Sequence, residues 1–283
     1  MGEQRQLDKL MYDLLEVIRF TGDVATKICG LRSDTELFRA VKAEFAKSKR
    51  YNITFFMLTD DGSNLRIGET SYTPKLVKTV EKAAGVGVKD YRLDLSKAKF
   101  FRKFINEGET IYVNSIDVIS EIVPSSLASL ISKTLGFGNY AILAPLKRHE
   151  NIIGFFVRSS PEMVEHFLPS VRTLAAHISA ALTMAYETAE RERVEKVHDE
   201  SAQRFKSLVE DVAAPICTIN LKGKFTYVNP AFSELVGYSA SELLSRNFKD
   251  FLHPKDRGAR VAVVLQHYVV AEKAAALGFP GDR

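Results

Sequence analysis

Between Phe205 and Pro254 the chain carries so many closely spaced start and stop signals that only a small, tightly turned fold accommodates them. Ile216, Thr218 and Asn220 alternate with Cys217, Ile219 and Leu221, so this run is read as a strand with apolar groups on both sides. Lys222-Gly223 follows as a turn, with Gly223 supplying the positive φ that a two-residue hairpin needs, and Phe225, Tyr227 and Val228 give the returning strand aromatic and β-branched content. Asn229-Pro230 ends that strand, because proline has no N–H to donate and its fixed φ suits the first turn of a helix. Ser239 followed by Glu242 has the spacing of a capping box and opens another short helix. Short helices beside a curved sheet leave room for a cavity.

The same residues resemble a PAS domain. The resemblance is carried by Phe225-Thr-Tyr-Val-Asn-Pro-Ala-Phe232, Gly237-Tyr-Ser239, Glu242-Leu-Leu244 and His253-Pro254. It implies a sensor, with Asn229, Pro230, Gly237, Tyr238, His253 and Pro254 as motif residues and with Ile219, Tyr227, Phe232 and Leu235 along the cavity or its rim. A complete domain of this family adds three strands after its long helix, whereas the helix expected from about Lys255 to Ala276 leads only to Leu277–Arg283. The resemblance therefore implies an incomplete domain, with an unpaired edge on the strand around Cys217–Leu221 that is open to docking or aggregation.

The remaining length calls for a second domain. A chain of 283 residues, 46% of them hydrophobic, is long enough for two cores. Its net charge of +4, from 39 basic and 35 acidic residues, is small and spread out, which argues against a nucleic-acid partner. No apolar run approaches the roughly 20 residues that span a bilayer, and Glu3, Arg5, Asp8 and Lys9 stand where a signal peptide is apolar, so a cytoplasmic protein without a membrane partner is expected. Cys29 and Cys217, the two cysteines, fall in different predicted domains and make neither a disulfide framework nor a metal motif.

Leu10, Met11, Leu14, Val17 and Ile18 keep helical spacing, and Ser33 with Glu36 opens a second helix to about Ala46. Tyr51–Thr59 reads as a strand that turns through Asp60-Asp61-Gly62-Ser63 toward Leu65 and Ile67. Helix is expected over Pro74–Ala84 and Lys99–Ile105, strand over Tyr91–Leu95 and Ile111–Val113, and a further helical segment ends near Leu135. Two apolar runs, Tyr140–Leu146 and Ile152–Val157, flank the polar turn Lys147–Asn151, and Ser160-Pro161 has the form of an N-cap and first turn for a long helix. This succession from about Asp23 to Tyr186, with the stretch YAILAPLKRHENIIGFFVRSS, resembles a GAF domain. The long helix is read as continuing from Pro161 to Val212, with Ile178, Leu182, Ala185, Ala189, Val197, Phe205, Leu208 and Val212 in a spacing near that of a helix-packing seam.

Reactive groups are sparse. His198-Asp199-Glu200 lacks the continuation of a kinase phosphoacceptor box, and a surface histidine is the preferred reading. His177 lies near the edge of the apolar face of the long helix; in a haem-binding GAF domain such a residue is an axial ligand, but a packed histidine is the preferred reading. A light-sensing flavin domain of the LOV type needs a cysteine where Asn247–Leu252 places Phe248, and residues 30–216 hold no thiol for a covalent bilin. A methionine sulfoxide reductase on the GAF fold needs two neighbouring thiols, which Cys29 and Cys217 do not provide. The interleaved bases and aromatics of Ser96–Phe104 are read as an amphipathic helix in preference to an anion or RNA site.

The expected fold is α+β: two sensor domains, GAF-like then PAS-like, each an antiparallel sheet flanked by helices, joined by a long signalling helix. The boundaries are an N-terminal amphipathic helix at 1–22, the first domain at 23–187, a helical linker at 188–203 and the second domain at 204–283. Phe56, Tyr140 and Phe156 are the candidate ligand contacts of the first domain. The expected role is the input part of a two-component histidine kinase, with a small-molecule ligand, a homodimer formed through its helices and a downstream kinase or output domain. The sensor of a transcription regulator is the alternative, and an enzyme on the GAF fold a third.

Overall fold

The structure is a computed structural model that describes residues 2–251, with side chains from Asp8 onward. The chain divides into two compact units between Arg193 and Val194. In the first, the element order is α1 (Gly2–Ile28), α2 (Asp34–Ser48), β1 (Asn52–Leu58), β2 (Asn64–Thr70), α3 (Pro74–Ala84), β3 (Arg92–Asp94), α4 (Lys99–Glu107), β4 (Ile111–Asn114), α5 (Ser115–Ile122), α6 (Ser125–Leu135), β5 (Tyr140–Arg148) and β6 (Asn151–Ser159). Helix α7 (Leu168–Asp211) belongs to both units, and β7 (Cys217–Ile219), β8 (Phe225–Val228), α8 (Pro230–Val236) and α9 (Ala240–Leu244) complete the second.

The first unit is built on a six-stranded antiparallel sheet in the order β3-β2-β1-β6-β5-β4. Its inner strands are covered on both faces, and alternation sorts their side chains. Ile53, Phe55 and Met57 of β1 join Phe156 of β6 and the apolar stripes of α1, α2 and α7 in one core. Phe56 of β1 and Phe155 and Val157 of β6 join residues of α4, α5 and α6 in the other. Gly154 lets β6 approach β1, since a Cβ there would stand 2.3 Å from the Phe56 carbonyl oxygen.

Local signals set the helix ends. Thr73 caps α3 through the Leu76 N–H, Asn114 caps α5 through Ile116, and Gly85, Gly108 and Gly136 end α3, α4 and α6 in the left-handed conformation. The Ser239–Glu242 capping box is complete, whereas at Ser33 the hydroxyl accepts from the Glu36 N–H.

Several expectations are corrected. The long helix begins at Leu168, not Pro161: Ser160 accepts from the N–H groups of Glu162 and Met163, making a turn that seats Met163 and Phe167 in the core before α7 starts. The segment ending at Leu135 is two helices, because Pro124 follows the end of α5 and precedes α6. The β5–β6 turn is tighter than Lys147–Asn151, with His149 at φ 54. The N-terminal helix runs past residue 22, to Ile28. The β7–β8 connection is not a two-residue loop: Gly223 donates to the Asn220 carbonyl at 2.8 Å and Asn220 Oδ1 accepts from Lys222 and Lys224. In α4 the aromatics Phe101 and Phe104 are buried while Lys99, Arg102 and Lys103 face out. No helix among the described residues is long and apolar enough to cross a membrane.

Candidate functional site

The first unit has a half-open cavity of about 110 Å³ between the sheet and α3, α5 and α6. Thr54, Phe56 and Ile67 form its sheet side, Val77 and Val80 come from α3, and Val118, Ile119 and Ile131 from α5 and α6. Among the described residues its polar lining is limited to Thr54, Thr70 and Tyr72, and none of the lining side chains is charged. The Thr54 and Thr70 hydroxyls bond each other at 2.8 Å, and the Tyr72 hydroxyl bonds Ser159 Oγ at 2.8 Å. Burial pushes the Tyr72 hydroxyl above the ordinary tyrosine range, so it stays neutral. The Tyr91 hydroxyl donates to the Ile122 carbonyl at 2.5 Å and ties the segment before β3 to the end of α5. A dry apolar cavity of comparable size, about 150 Å³, accepts benzene or xenon. This lining suits a small uncharged molecule and gives an ionic one nothing to pair with.

Of the three residues expected to contact a ligand here, Phe56 lines the cavity. Phe156 points to the opposite face of the sheet, 6.0 Å from the Phe55 ring, and its neighbour Phe155 stacks on Phe56 at 5.0 Å. Tyr140 is 43% exposed at the start of β5 and stacks on Tyr112. The contribution of α5 and α6 was missed, although Val118, Ile119 and Ile122 keep the three-and-four spacing that marks a buried helix face. His177 is exposed on α7 and lines a surface groove with Cys29 and Met184, away from this cavity. His198 is also exposed, 3.9 Å from Asp199.

In the second unit Phe225, Val228 and Leu243 form a small core on which Ile219 and Phe232 pack, both partly buried. Tyr227 is half-buried, and its hydroxyl has no hydrogen-bond partner among the described residues. Leu235 is 70% exposed and sits outside this core. Phe248, at the position where a LOV cysteine is expected, packs edge-on against Phe225 at 6.2 Å. Pro230 opens α8, Gly237 ends it at φ 72, and Tyr238 lies 5.6 Å from Phe251 with the Arg246 guanidinium 4.3 Å from its ring. His253, Pro254, the helix expected from Lys255 and the incomplete sheet lie outside the described residues.

Asn229 organises this unit. Its fully buried side-chain amide donates to the carbonyls of Val209, Val212 and Ala214 at 3.1, 3.3 and 2.9 Å. Its Oδ1 accepts from the N–H of Ile216 at 2.8 Å and of Phe232 at 2.9 Å. One side chain thus holds the end of α7, the entry to β7 and the first turn of α8, and satisfies carbonyls that a helix end leaves unpaired.

Residues 203–278 match the family model of the PAS fold. No curated protein matches the chain. Among solved structures, the chain is similar to the free methionine-R-sulfoxide reductase of Neisseria meningitidis in complex with its substrate, at 10% identity over 62% of this chain and 93% of that one, TM-score 0.46. It is also similar to the GAF domain of the Acinetobacter phosphoenolpyruvate-protein phosphotransferase, at 14% identity over 61% and 94%, TM-score 0.41. A third likeness is to the GAF domain of A. Aeolicus nlh2 in an inactive state, at 15% identity over 62% and 98%, TM-score 0.43.

Proposed function

We propose that this chain is a sensory module of a signal-transduction protein, in which a small neutral molecule enters the apolar cavity of the first unit and the change in packing is passed along α7 to the PAS unit. The observation that carries the reading is the double engagement of one helix. Val171, Leu174, Ile178 and Leu182 of α7 are buried in the core on the sheet face opposite the cavity, so the packing change reaches the helix through the sheet, and the carbonyls near its far end are held by Asn229. A helix packed into one core and hydrogen-bonded at its far end to Asn229 biases both units when it shifts. Between these anchors residues 186–208 are all exposed, including Val194, Val197, Phe205 and Leu208. We assign this stripe to a second copy of the chain, giving a dimer joined along α7.

The input part of a two-component histidine kinase is the parent we favour, since such a dimer passes helix movements to a kinase placed further along the chain; the sensor of a transcription regulator uses the same device. Neither Cys29 nor Cys217 lines the cavity, which weighs against thiol chemistry there. The test is native mass spectrometry of the purified chain combined with solvent extraction. A dimer mass and a neutral extracted compound that raises the melting temperature on return are expected. A monomer at high concentration that gains no stability from phenol would overturn the reading.

A further inference from the structure

Arg158 stands at the centre of the sheet, paired in register with Ile53 of β1 and Ile142 of β5, and is wholly buried. Its guanidinium lies 4.0 Å from the centre of the Tyr51 ring, 5.8 Å from that of Phe45 and 5.9 Å from that of Phe20 on α1. Aromatic faces stabilise a cation but accept none of its N–H groups in the manner of an oxygen. All three side-chain nitrogens lack an acceptor among the described residues, and so does the buried Tyr51 hydroxyl, which is near enough to favour the charged form without reaching hydrogen-bonding geometry. Burial draws the guanidinium down to about 10, which leaves it charged at neutral pH. A buried charge without a partner is strongly unfavourable.

Acceptors gather instead around the neighbouring Arg50. Arg50 lies 5.4 Å from the same Tyr51 ring and is bonded to Asp13 at 2.7 Å, to Glu162 at 2.9 Å and to Glu16. Three carboxylates thus crowd one guanidinium while its neighbour has none among the described residues. An added external anion would make the cluster more negative, whereas moving one carboxylate balances it. Glu16 is placed for that move: it lies on α1 one turn before Phe20, the residue over Arg158, and its side chain is 44% exposed against 17% for Asp13. The helix itself is anchored on one side, through Val17, Val24 and Ile28, and leaves Met11, Leu15 and Ile18 exposed.

We propose that α1 has a second seating on the sheet, in which the Glu16 carboxylate leaves Arg50 and pairs with Arg158, so that the N-terminal helix is a two-position element of the first unit. Any partner that favours one seating sets the position of the Tyr51 ring, which contacts Phe167 just before α7 begins.

The test is arginine-labelled and backbone NMR of the full chain. The Arg158 Nε–H signal and the amides of residues 13–20 are expected to show exchange on the microsecond-to-millisecond scale. Glu16→Gln removes it from both sites, Arg158→Met quiets the same amides, and Glu162→Gln leaves it in place. A single unexchanging state in the wild type, an Arg158 signal indifferent to Glu16→Gln, or equal loss in Glu162→Gln would overturn the proposal. Should Arg158→Met fail to fold, the half-exposed Glu16→Gln decides alone.

Discussion

The side-chain nitrogen of Asn229 lies 2.9 Å from the carbonyl oxygen of Ala214, just beyond the end of α7, while its oxygen caps α8 through the Phe232 N–H. A buried amide with both ends occupied is difficult to replace. Asn229→Ala removes a cap and strands buried carbonyls, so a loss of roughly 2–4 kcal/mol in the second unit is expected. Asn229→Asp keeps the two accepted bonds but sets an oxygen against three carbonyls, and does not restore stability. Urea unfolding followed by a probe in the second unit measures both; an Asp variant as stable as wild type contradicts the assigned orientation.

The cavity predicts selective ligand binding. Phenol, neutral with one ring and one hydroxyl, is expected to bind and raise the melting temperature, and benzoate is not, because no cation among the described residues lines the space. Val118→Phe fills part of the cavity and abolishes the phenol effect, at a cost of no more than the roughly 1–3 kcal/mol of a small-to-large core change, since empty space receives much of the ring. Retained phenol binding in a folded Val118→Phe protein would place the site elsewhere.

Phe205 and Leu208 are 68% and 67% exposed on α7. If a second copy covers them, Phe205→Glu with Leu208→Glu converts the dimer to a monomer in sedimentation velocity without lowering the stability of the first unit. A dimer that survives the double change disproves the seam.

Asp61 offers a test of local electrostatics. Its carboxylate accepts from the Ser63 hydroxyl, the Thr59 hydroxyl and the Ser63 N–H, which lowers its pKa to about 2. A folded value below the unfolded one, near 4, means that the turn gains stability above the unfolded value and loses it as pH falls through about 2. An NMR titration of the Asp61 carboxyl is expected to show this midpoint, and one near 4 contradicts the hydrogen-bonded turn.

Much of the fold was legible because its signals are local. Caps at Ser33 and Ser239, the break at Pro230, and the β5–β6 pair follow from residues within a few positions of one another. The site was less legible because it depends on which face of the sheet a residue meets. With both faces of β6 buried, no polar alternation separates Phe155, beside the cavity core, from Phe156 in the other core. Ser160-Pro161 failed as a helix start for a related reason: the same residues make a turn, and burial of Met163 and Phe167 decides between the two. Nothing in the run Phe156–Ser159 reveals that its arginine is enclosed, since that requires Tyr51 and Phe20 from distant parts of the chain.

The central claim, that cavity occupancy reaches the second unit through α7, is tested most directly by hydrogen exchange of the full chain with and without phenol. The account predicts slower exchange around the cavity, along α7 and at β7 and α8, with the last two effects lost in Asn229→Ala. Protection confined to the cavity, with α7 and the second unit unchanged, would contradict it.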